Sequence, residues 1–297
     1  PSEALGKSRG ELHEIDDQLD VFRSITKWNA RSTRVDEIPG MVHEAFRQMG
    51  TGRPRPVEIE IPSDTLGAMD AADLIEPEPP VRKEPSRVAI KKAAEVLASA
   101  ERPIIFAGGG AAIAGASAEL TALAEMLNAP VMTTPQARGV IDPDHPLYLG
   151  VNYAHLTPGT DVMEYCDVLL AVGTRLLLPG LNLSGKTLIQ IDVDPEEIGR
   201  NFNPKIAVEG DAALSLASIS EELRASGFYL DTRAVEDCER FASRWKKKIA
   251  NQIGDLAPEQ TAIVDTIAEE LADDDIVISG ITNIGYWSHV RYPVRKV

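Results

Sequence analysis

Hydrophobic and polar positions follow two different periods near the start of the chain. Between residues 35 and 49, apolar side chains recur every three or four residues, which predicts an amphipathic helix. Residues 56–62 then alternate apolar and acidic side chains, the period-two pattern of a half-buried strand. The first part of the chain therefore predicts a helix followed by a strand.

From residue 86 onward, short apolar runs follow helical segments in regular succession. Helices are predicted at residues 86–100, 116–127 and 212–225, and strands at residues 103–107, 130–134, 167–172, 187–192 and 205–208. Continuous apolar runs are typical of strands buried on both faces of a parallel sheet. Because these runs alternate with helices, we predict an α/β fold with a doubly wound, Rossmann-like parallel sheet.

Composition marks the boundaries of the predicted domains. Residues 67–85 are rich in acid, alanine and proline, and proline disfavours both helix and sheet, so we predict an interdomain linker there. The central domain is predicted at 86–227 and a helical connection at 228–274, where helices are expected at 233–253 and 258–272. The apolar run 275–279 predicts a strand that opens another α/β unit. We expect residues 1–66 and 275–297 to be parts of larger flanking α/β domains.

The overall composition excludes several classes of function. With 43% hydrophobic and 26% charged residues, the chain has ordinary globular values. It contains no run of about 18 apolar residues and no signal-peptide core, so we expect a cytoplasmic protein without a membrane partner. The two cysteines lie far apart in the sequence, which favours reduced thiols. A net charge of -16 would repel a phosphate backbone, so nucleic acid is not an expected partner.

Four short segments have distinctive sequences. They lie at residues 22–28, 51–64, 102–110 and 190–199, and the second begins Thr-Gly-Arg-Pro-Arg-Pro-Val. In order and content they resemble the acetolactate-synthase-like family of thiamine-diphosphate-dependent enzymes, over nearly the whole chain. The second segment is the most specific, although Arg55 stands where the family has a second glycine.

The resemblance implies a domain assignment and a chemistry. Residues 1–66 would be the end of a pyrimidine-binding domain, 86–227 a complete central domain, and 275–297 the start of a diphosphate-binding domain. The family uses thiamine diphosphate as an electron sink to decarboxylate or join small 2-oxoacids, with Mg²⁺ on the diphosphate, and its members are homodimers or homotetramers. The alternative is a stand-alone nucleotide-binding module of the same ancestry without thiamine chemistry.

The family's catalytic residues have no counterpart in this sequence. Its ylide-promoting glutamate lies near the start of the pyrimidine-binding domain, and its metal ligands lie in a Gly-Asp-Gly motif with a downstream asparagine. Neither pattern is found here, so no catalytic or metal residue is assigned. We therefore expect this chain alone to be inactive.

The resemblance points to two places for thiamine and substrate binding. Thr282 and Asn283 fall in the turn where the family places small and polar residues beside the diphosphate, and backbone N–H groups at a strand end suit an anion. An ordinary asparagine turn is the alternative. His13 occupies the position of a glutamine that lines the active-site mouth in relatives, with a surface histidine as the alternative.

A glycine run in the central domain invites a nucleotide interpretation. Gly108, Gly109 and Gly110 follow a predicted strand and precede a helix, so their backbone could approach a phosphate. The run lacks the third glycine of a dinucleotide fingerprint, and a tight turn explains it equally well. In the family this domain binds FAD in acetolactate synthases, an adenine nucleotide in oxalyl-CoA decarboxylases, and nothing in several others.

The residues at the ends of the predicted strands 167–172 and 187–192 favour an adenine nucleotide or an empty site over FAD. Arg175 matches the start of the family's flavin-binding Gly-x-Arg segment, but leucines beginning at Leu176 replace its charged remainder. Arg175 could still pair with a phosphate, and Asp192 at a strand end could accept hydrogen bonds from ribose hydroxyls.

Overall fold

The computed structural model describes residue 10 and residues 15–153, 160–177, 180–229 and 232–295. These residues form two compact units, Pro1–Arg82 and Lys83–Val297. His13 lies outside the described residues. The division between the units falls within a stretch, residues 68–86, that has no helix or strand.

The first unit pairs two parallel strands with three helices. Its elements are α1 (Gln18–Arg23), β1 (Trp28–Arg31), α2 (Ile38–Gly50), β2 (Val57–Glu60) and α3 (Ser63–Gly67). Strands β1 and β2 are parallel neighbours, and α2 forms the crossover that a parallel pair requires. The predicted helix and strand are confirmed as α2 and β2.

The second unit is built on a six-stranded parallel sheet. Its strands are β3 (Pro103–Ala107), β4 (Val131–Thr133), β5 (Tyr148–Val151), β6 (Val168–Val172), β7 (Thr187–Asp192) and β8 (Ile206–Glu209). They lie in the order β5-β4-β3-β6-β7-β8, and each neighbouring pair is parallel. Counted within this unit, the order is 3-2-1-4-5-6, which is that of dinucleotide-binding folds. The predicted doubly wound sheet is confirmed.

Helices cover both faces of this sheet. The helices of the second unit are α4 (Arg87–Ala98), α5 (Gly109–Ile113), α6 (Ser117–Leu127), α7 (Thr160–Tyr165), α8 (Ala212–Ala225), α9 (Thr232–Leu256), α10 (Pro258–Glu270) and α11 (Asn283–Arg291). Ile105 of β3 belongs to the core that contains residues of α4, α6 and α8. Ile104 and Phe106 belong to a second core with residues of α7 and α9, including Trp245. Successive β3 side chains thus enter opposite cores, which explains why every residue of β3 is buried.

The prediction of a strand at residues 275–279 is wrong. Within the part of the chain that the structure describes, these residues pair with no other strand, and the side chains of Ile276 and Ile278 are 87% and 92% exposed. The apolar pattern is that of a strand, but a strand also needs a neighbour to accept and donate its backbone hydrogen bonds. No described strand lies beside this segment.

Candidate functional site

The parallel sheet brings three of the predicted sites to one edge. Gly108 follows β3, Arg175 lies just after β6, and Asp192 ends β7. Because all six strands run in the same direction, their carboxyl ends share one edge. The strand order reverses between β3 and β6, so Gly108 and Arg175 flank the topological switch point, where α/β proteins commonly bind ligands.

The glycine turn packs directly against the neighbouring turn. A Cβ atom on Gly108 would lie 2.4 Å from the Gly173 carbonyl oxygen, and one on Gly110 would lie 2.7 Å from the Gly173 Cα. Gly173 itself has a φ of +58°, a left-handed conformation that favours glycine. A Cβ on Gly109 would approach the Gln136 Cβ to 3.2 Å. Close packing therefore accounts for glycine at this turn without a ligand.

Backbone hydrogen bonds occupy donors of the same turn. The N–H of Gly108 donates to the Val172 carbonyl over 2.8 Å, and that of Gly110 donates to the Gly173 carbonyl over 3.0 Å. The helix that follows, α5, has only five residues. These two N–H groups therefore point at the end of the neighbouring strand β6 and not toward solvent. The binding of a phosphate by these glycines stays a prediction.

Arg175 and Asp192 carry opposite charges at the ends of the neighbouring strands β6 and β7. The Arg175 side chain is exposed, and within the described ranges its guanidinium has no carboxylate partner; its backbone carbonyl accepts a hydrogen bond of 2.6 Å from Asn201 Nδ2. Asp192 is half-buried, and its Oδ1 accepts the N–H of Asp194 over 3.0 Å. The two carboxylates at the end of β7 suit hydroxyl donors better than phosphate oxygens, because like charges repel.

A buried glutamine that the sequence analysis missed holds the loops after β6 and β7. Gln190 is 2% exposed; its Nε2 donates to the carbonyls of Thr174, at 3.2 Å, and Glu197, at 3.1 Å. Its Oε1 accepts the N–H of Gly199 at 2.9 Å. The available signal was one amide side chain inside an otherwise apolar run, since a buried polar group needs partners.

Thr282 and Asn283 begin a helix. The Thr282 Oγ1 accepts the N–H of Gly285 at 3.1 Å, so Thr282 is the N-cap of α11, and Asn283 is its first residue. Both side chains are exposed. The N–H groups of Asn283 and Ile284 precede the first intrahelical hydrogen bond, so they are available to an acceptor outside the helix. This start of a nine-residue helix is chemically suited to an anion.

Metal and membrane features are absent from the residues that the structure describes. These residues contain no group of three or more His, Cys, Asp or Glu side chains that could hold a metal ion. None of the described helices is long and apolar enough to cross a membrane.

Comparison with known proteins identifies the central domain. Residues 90–219 match the family model of the thiamine pyrophosphate enzyme central domain. The chain is 33% identical, over 99% of its length, to a probable 2-ketoarginine decarboxylase of Pseudomonas aeruginosa, and covers 52% of that protein. It is 39% identical over 75% of its length to a probable acetolactate synthase large subunit of Methanococcus aeolicus, covering 39% of it.

A third relative has a carboligase name. The chain is 31% identical over 78% of its length to the glyoxylate carboligase of Escherichia coli O157:H7, and covers 42% of that protein. The chain thus spans about half, or less, of the length of these curated relatives. The relatives and the central-domain match agree with the resemblance of the four short segments. Residues 90–219 therefore belong to the thiamine pyrophosphate enzyme central domain family, and the chain is an acetolactate-synthase-like segment.

Proposed function

We propose that the whole protein is a thiamine-diphosphate- and Mg²⁺-dependent decarboxylase or carboligase that acts on a small 2-oxoacid. The observation that carries the proposal is the match of the central domain together with a 2-ketoarginine decarboxylase relative that is similar over 99% of this chain. The names of the relatives, decarboxylase, synthase and carboligase, support a reaction at a carbon–carbon bond. Which 2-oxoacid it uses is part of the test.

The first turn of α11 is the part of this chain that we propose for thiamine diphosphate. When bound, thiamine diphosphate supplies an electron sink for the negative charge left by decarboxylation. The N–H groups of Asn283 and Ile284 would donate to a phosphate oxygen, and the positive end of the helix dipole would favour its charge. The hydroxyl of Thr282 holds this turn in place by capping it. Mg²⁺ is proposed from family membership alone.

For the central domain we propose an adenine nucleotide or no nucleotide, rather than FAD. The leucines that begin at Leu176 replace the charged remainder of the family's flavin-binding segment, which disfavours FAD. The hydroxyl groups of a ribose would suit Asp192, and Arg175 would pair with a terminal phosphate that extends toward solvent. Visible flavin absorbance in the purified protein would contradict this proposal.

The domain organisation is proposed on the same basis. Residues 1–66 would complete a pyrimidine-binding domain, 86–227 would be the central domain, and 275–297 would begin a diphosphate-binding domain. We propose a homodimer or homotetramer in the cytoplasm, which sedimentation and cell fractionation would test. His13 is proposed to line the mouth of the active site.

The proposed function is tested by turnover of the full-length protein. Release of carbon dioxide is measured from 2-ketoarginine, pyruvate and glyoxylate, with thiamine diphosphate and Mg²⁺ present or omitted. We expect release from at least one 2-oxoacid that requires both additions. Nucleotide binding without turnover of any 2-oxoacid would instead indicate a binding module.

A further inference from the structure

An arginine at the same edge of the sheet has no carboxylate partner. Arg138 lies after the short 3₁₀ turn Pro135–Ala137, which follows β4. Its Nε donates to the Pro135 carbonyl over 3.2 Å, and its Nη1 donates to the Ser288 carbonyl in α11 over 3.0 Å. Both acceptors are neutral. Among the residues that the structure describes, no Asp or Glu pairs with this guanidinium.

The surroundings of Arg138 disfavour its positive charge and do not neutralise it. The side chain is half-buried, and burial lowers the pKa of its guanidinium, although arginine remains charged in proteins. The nearby Tyr148 phenol does not offset the charge, because burial raises its pKa and keeps it neutral. The carbonyl of Ser288 lies in the last turns of α11, whose dipole offsets only a fraction of a unit charge.

Two further polar atoms near Arg138 are buried with no hydrogen-bond partner in the described part of the chain. They are Nδ1 of His289 and Oγ1 of Thr134. His289 follows Ser288, its ring centroid lies 5.4 Å from that of Tyr153, and burial together with the Arg138 charge lowers its pKa. Thr134 begins the turn that ends at Arg138. A hydroxyl, and an imidazole nitrogen when protonated, can each donate a hydrogen bond.

A guanidinium without a carboxylate partner and two potential donors without an acceptor match the chemistry of an oxyanion. Buried polar groups in native proteins are generally satisfied, so groups left without a partner call for an explanation such as a bound ligand. A planar guanidinium also suits carboxylate and phosphate oxygens better than an isolated carbonyl. The site lies after β4, whereas Arg175 follows β6, on the other side of β3 in the sheet order.

We propose that Arg138, assisted by Thr134 and His289, binds the anionic group of a small ligand at the carboxyl end of β4. The bound group presents carboxylate or phosphate oxygens, and two kinds of ligand carry such a group. One is the carboxylate of a 2-oxoacid, an assignment that rests on the proposed function. The other is a phosphate of a nucleotide, which does not.

Calorimetric titration of the full-length protein separates these sources. The probes are pyruvate, ADP and inorganic phosphate, each titrated into the unchanged protein, Arg138→Gln and Arg138→Lys. We expect at least one probe to bind, at least tenfold more weakly to Arg138→Gln, and with an intermediate loss for Arg138→Lys. Loss confined to pyruvate assigns a carboxylate ligand, and loss confined to ADP and phosphate assigns a phosphate ligand.

Arg224→Gln is the matched control, because it removes an exposed arginine of α8 that has no part in the proposed sites. It should leave the Arg138-dependent titration unchanged. Equal affinity of the unchanged protein and Arg138→Gln for every probe, or no binding of any probe, would overturn the proposal. A purely structural role for Arg138 would lower the melting temperature of Arg138→Gln without changing affinity.

A second variant keeps the test valid if Arg138→Gln does not fold. Thr134→Val removes one hydroxyl at nearly constant volume, and we expect it to weaken the same titration severalfold without lowering the melting temperature. Unchanged affinity in Thr134→Val would contradict the site in that case. Turnover that survives without Arg138-dependent binding would overturn this inference alone, whereas binding without turnover would overturn the proposed function alone.

Discussion

At the scale of single residues, a Cβ on Gly108 or Gly110 would lie closer than 3 Å to the backbone of Gly173. The Cβ of an alanine at position 110 would lie 2.7 Å from the Gly173 Cα, which is backbone and has no rotamer to escape into. We expect Gly110→Ala to lower the free energy of unfolding by about 1–3 kcal/mol, as overpacking does. Denaturant unfolding of the purified protein measures this.

A glycine elsewhere in the same unit provides the control. Gly254 lies in α9, and a Cβ there would meet nothing within 4 Å. Gly254→Ala should raise the free energy of unfolding by roughly 0.5–1 kcal/mol, because alanine restricts the unfolded chain and favours helix. If Gly110→Ala were as stable as Gly254→Ala, the packing explanation of the glycine turn would be wrong.

The two thiols give a pH-dependent prediction. Burial raises the pKa of Cys166 to about 12 and that of Cys238 to about 11, from an ordinary value of 9.0. Because folding raises these pKa values, their contribution to stability is complete below about pH 9 and is lost as pH rises toward 11 and 12. We expect the free energy of unfolding to fall over this range, and less steeply in Cys166→Ala.

Thiol labelling checks the same burial directly. At pH 8 both cysteines should react with a disulfide reagent only slowly in the folded protein and rapidly after unfolding, since the thiolate is the reactive form. Rapid labelling of either cysteine in the folded protein would contradict the buried placement.

Only part of the candidate site could be predicted from single residues. Gly108 and Asp192 were proposed because each stands at the end of an apolar run, and Arg175 because it matches the start of the family's Gly-x-Arg segment. Gln190 was missed because its partners lie in the loops after two different strands. Arg138 was missed because the Ser288 carbonyl is 150 residues away from it. A side chain's long-range partners are not encoded by local periodicity.

At the scale of elements, helix α11 depends on its N-cap. Thr282→Ala removes the acceptor for the Gly285 N–H, and we expect α11 to lose about 1 kcal/mol of local stability. Hydrogen exchange of the α11 amides should become faster. Thr282→Ser retains the hydroxyl and should behave almost as the unchanged protein does. Equal exchange in all three proteins would show that the cap is not what holds the helix start.

Helices and strands were predicted accurately where their apolar positions are regularly spaced. Helix α8 and strand β7 were predicted with the bounds that the structure has, because their apolar positions are regular. Strand β5 was missed, since it is four residues long and contains Gly150 with a φ of +101°. The run 275–279 failed for the opposite reason: its pattern suits a strand, but pairing requires a neighbour that no described residue provides.

At the scale of the whole molecule, the fold class could be predicted but the strand order could not. Apolar runs alternating with helices imply a parallel sheet. The order β5-β4-β3-β6-β7-β8 depends on which side of β3 each later strand joins, and the sequence pattern does not show that. That order creates the switch point and places the two arginines, Arg138 and Arg175, on opposite sides of β3. The location of the candidate sites is therefore a property of the complete sheet.

We have proposed that the whole protein carries out thiamine-dependent chemistry on a 2-oxoacid. The most direct measurement is release of carbon dioxide from 2-ketoarginine, pyruvate and glyoxylate by the purified full-length protein, with each of thiamine diphosphate and Mg²⁺ omitted in turn. We predict release from at least one substrate that stops when either is omitted. No release from any of the three, or release that continues without thiamine diphosphate, would contradict the account.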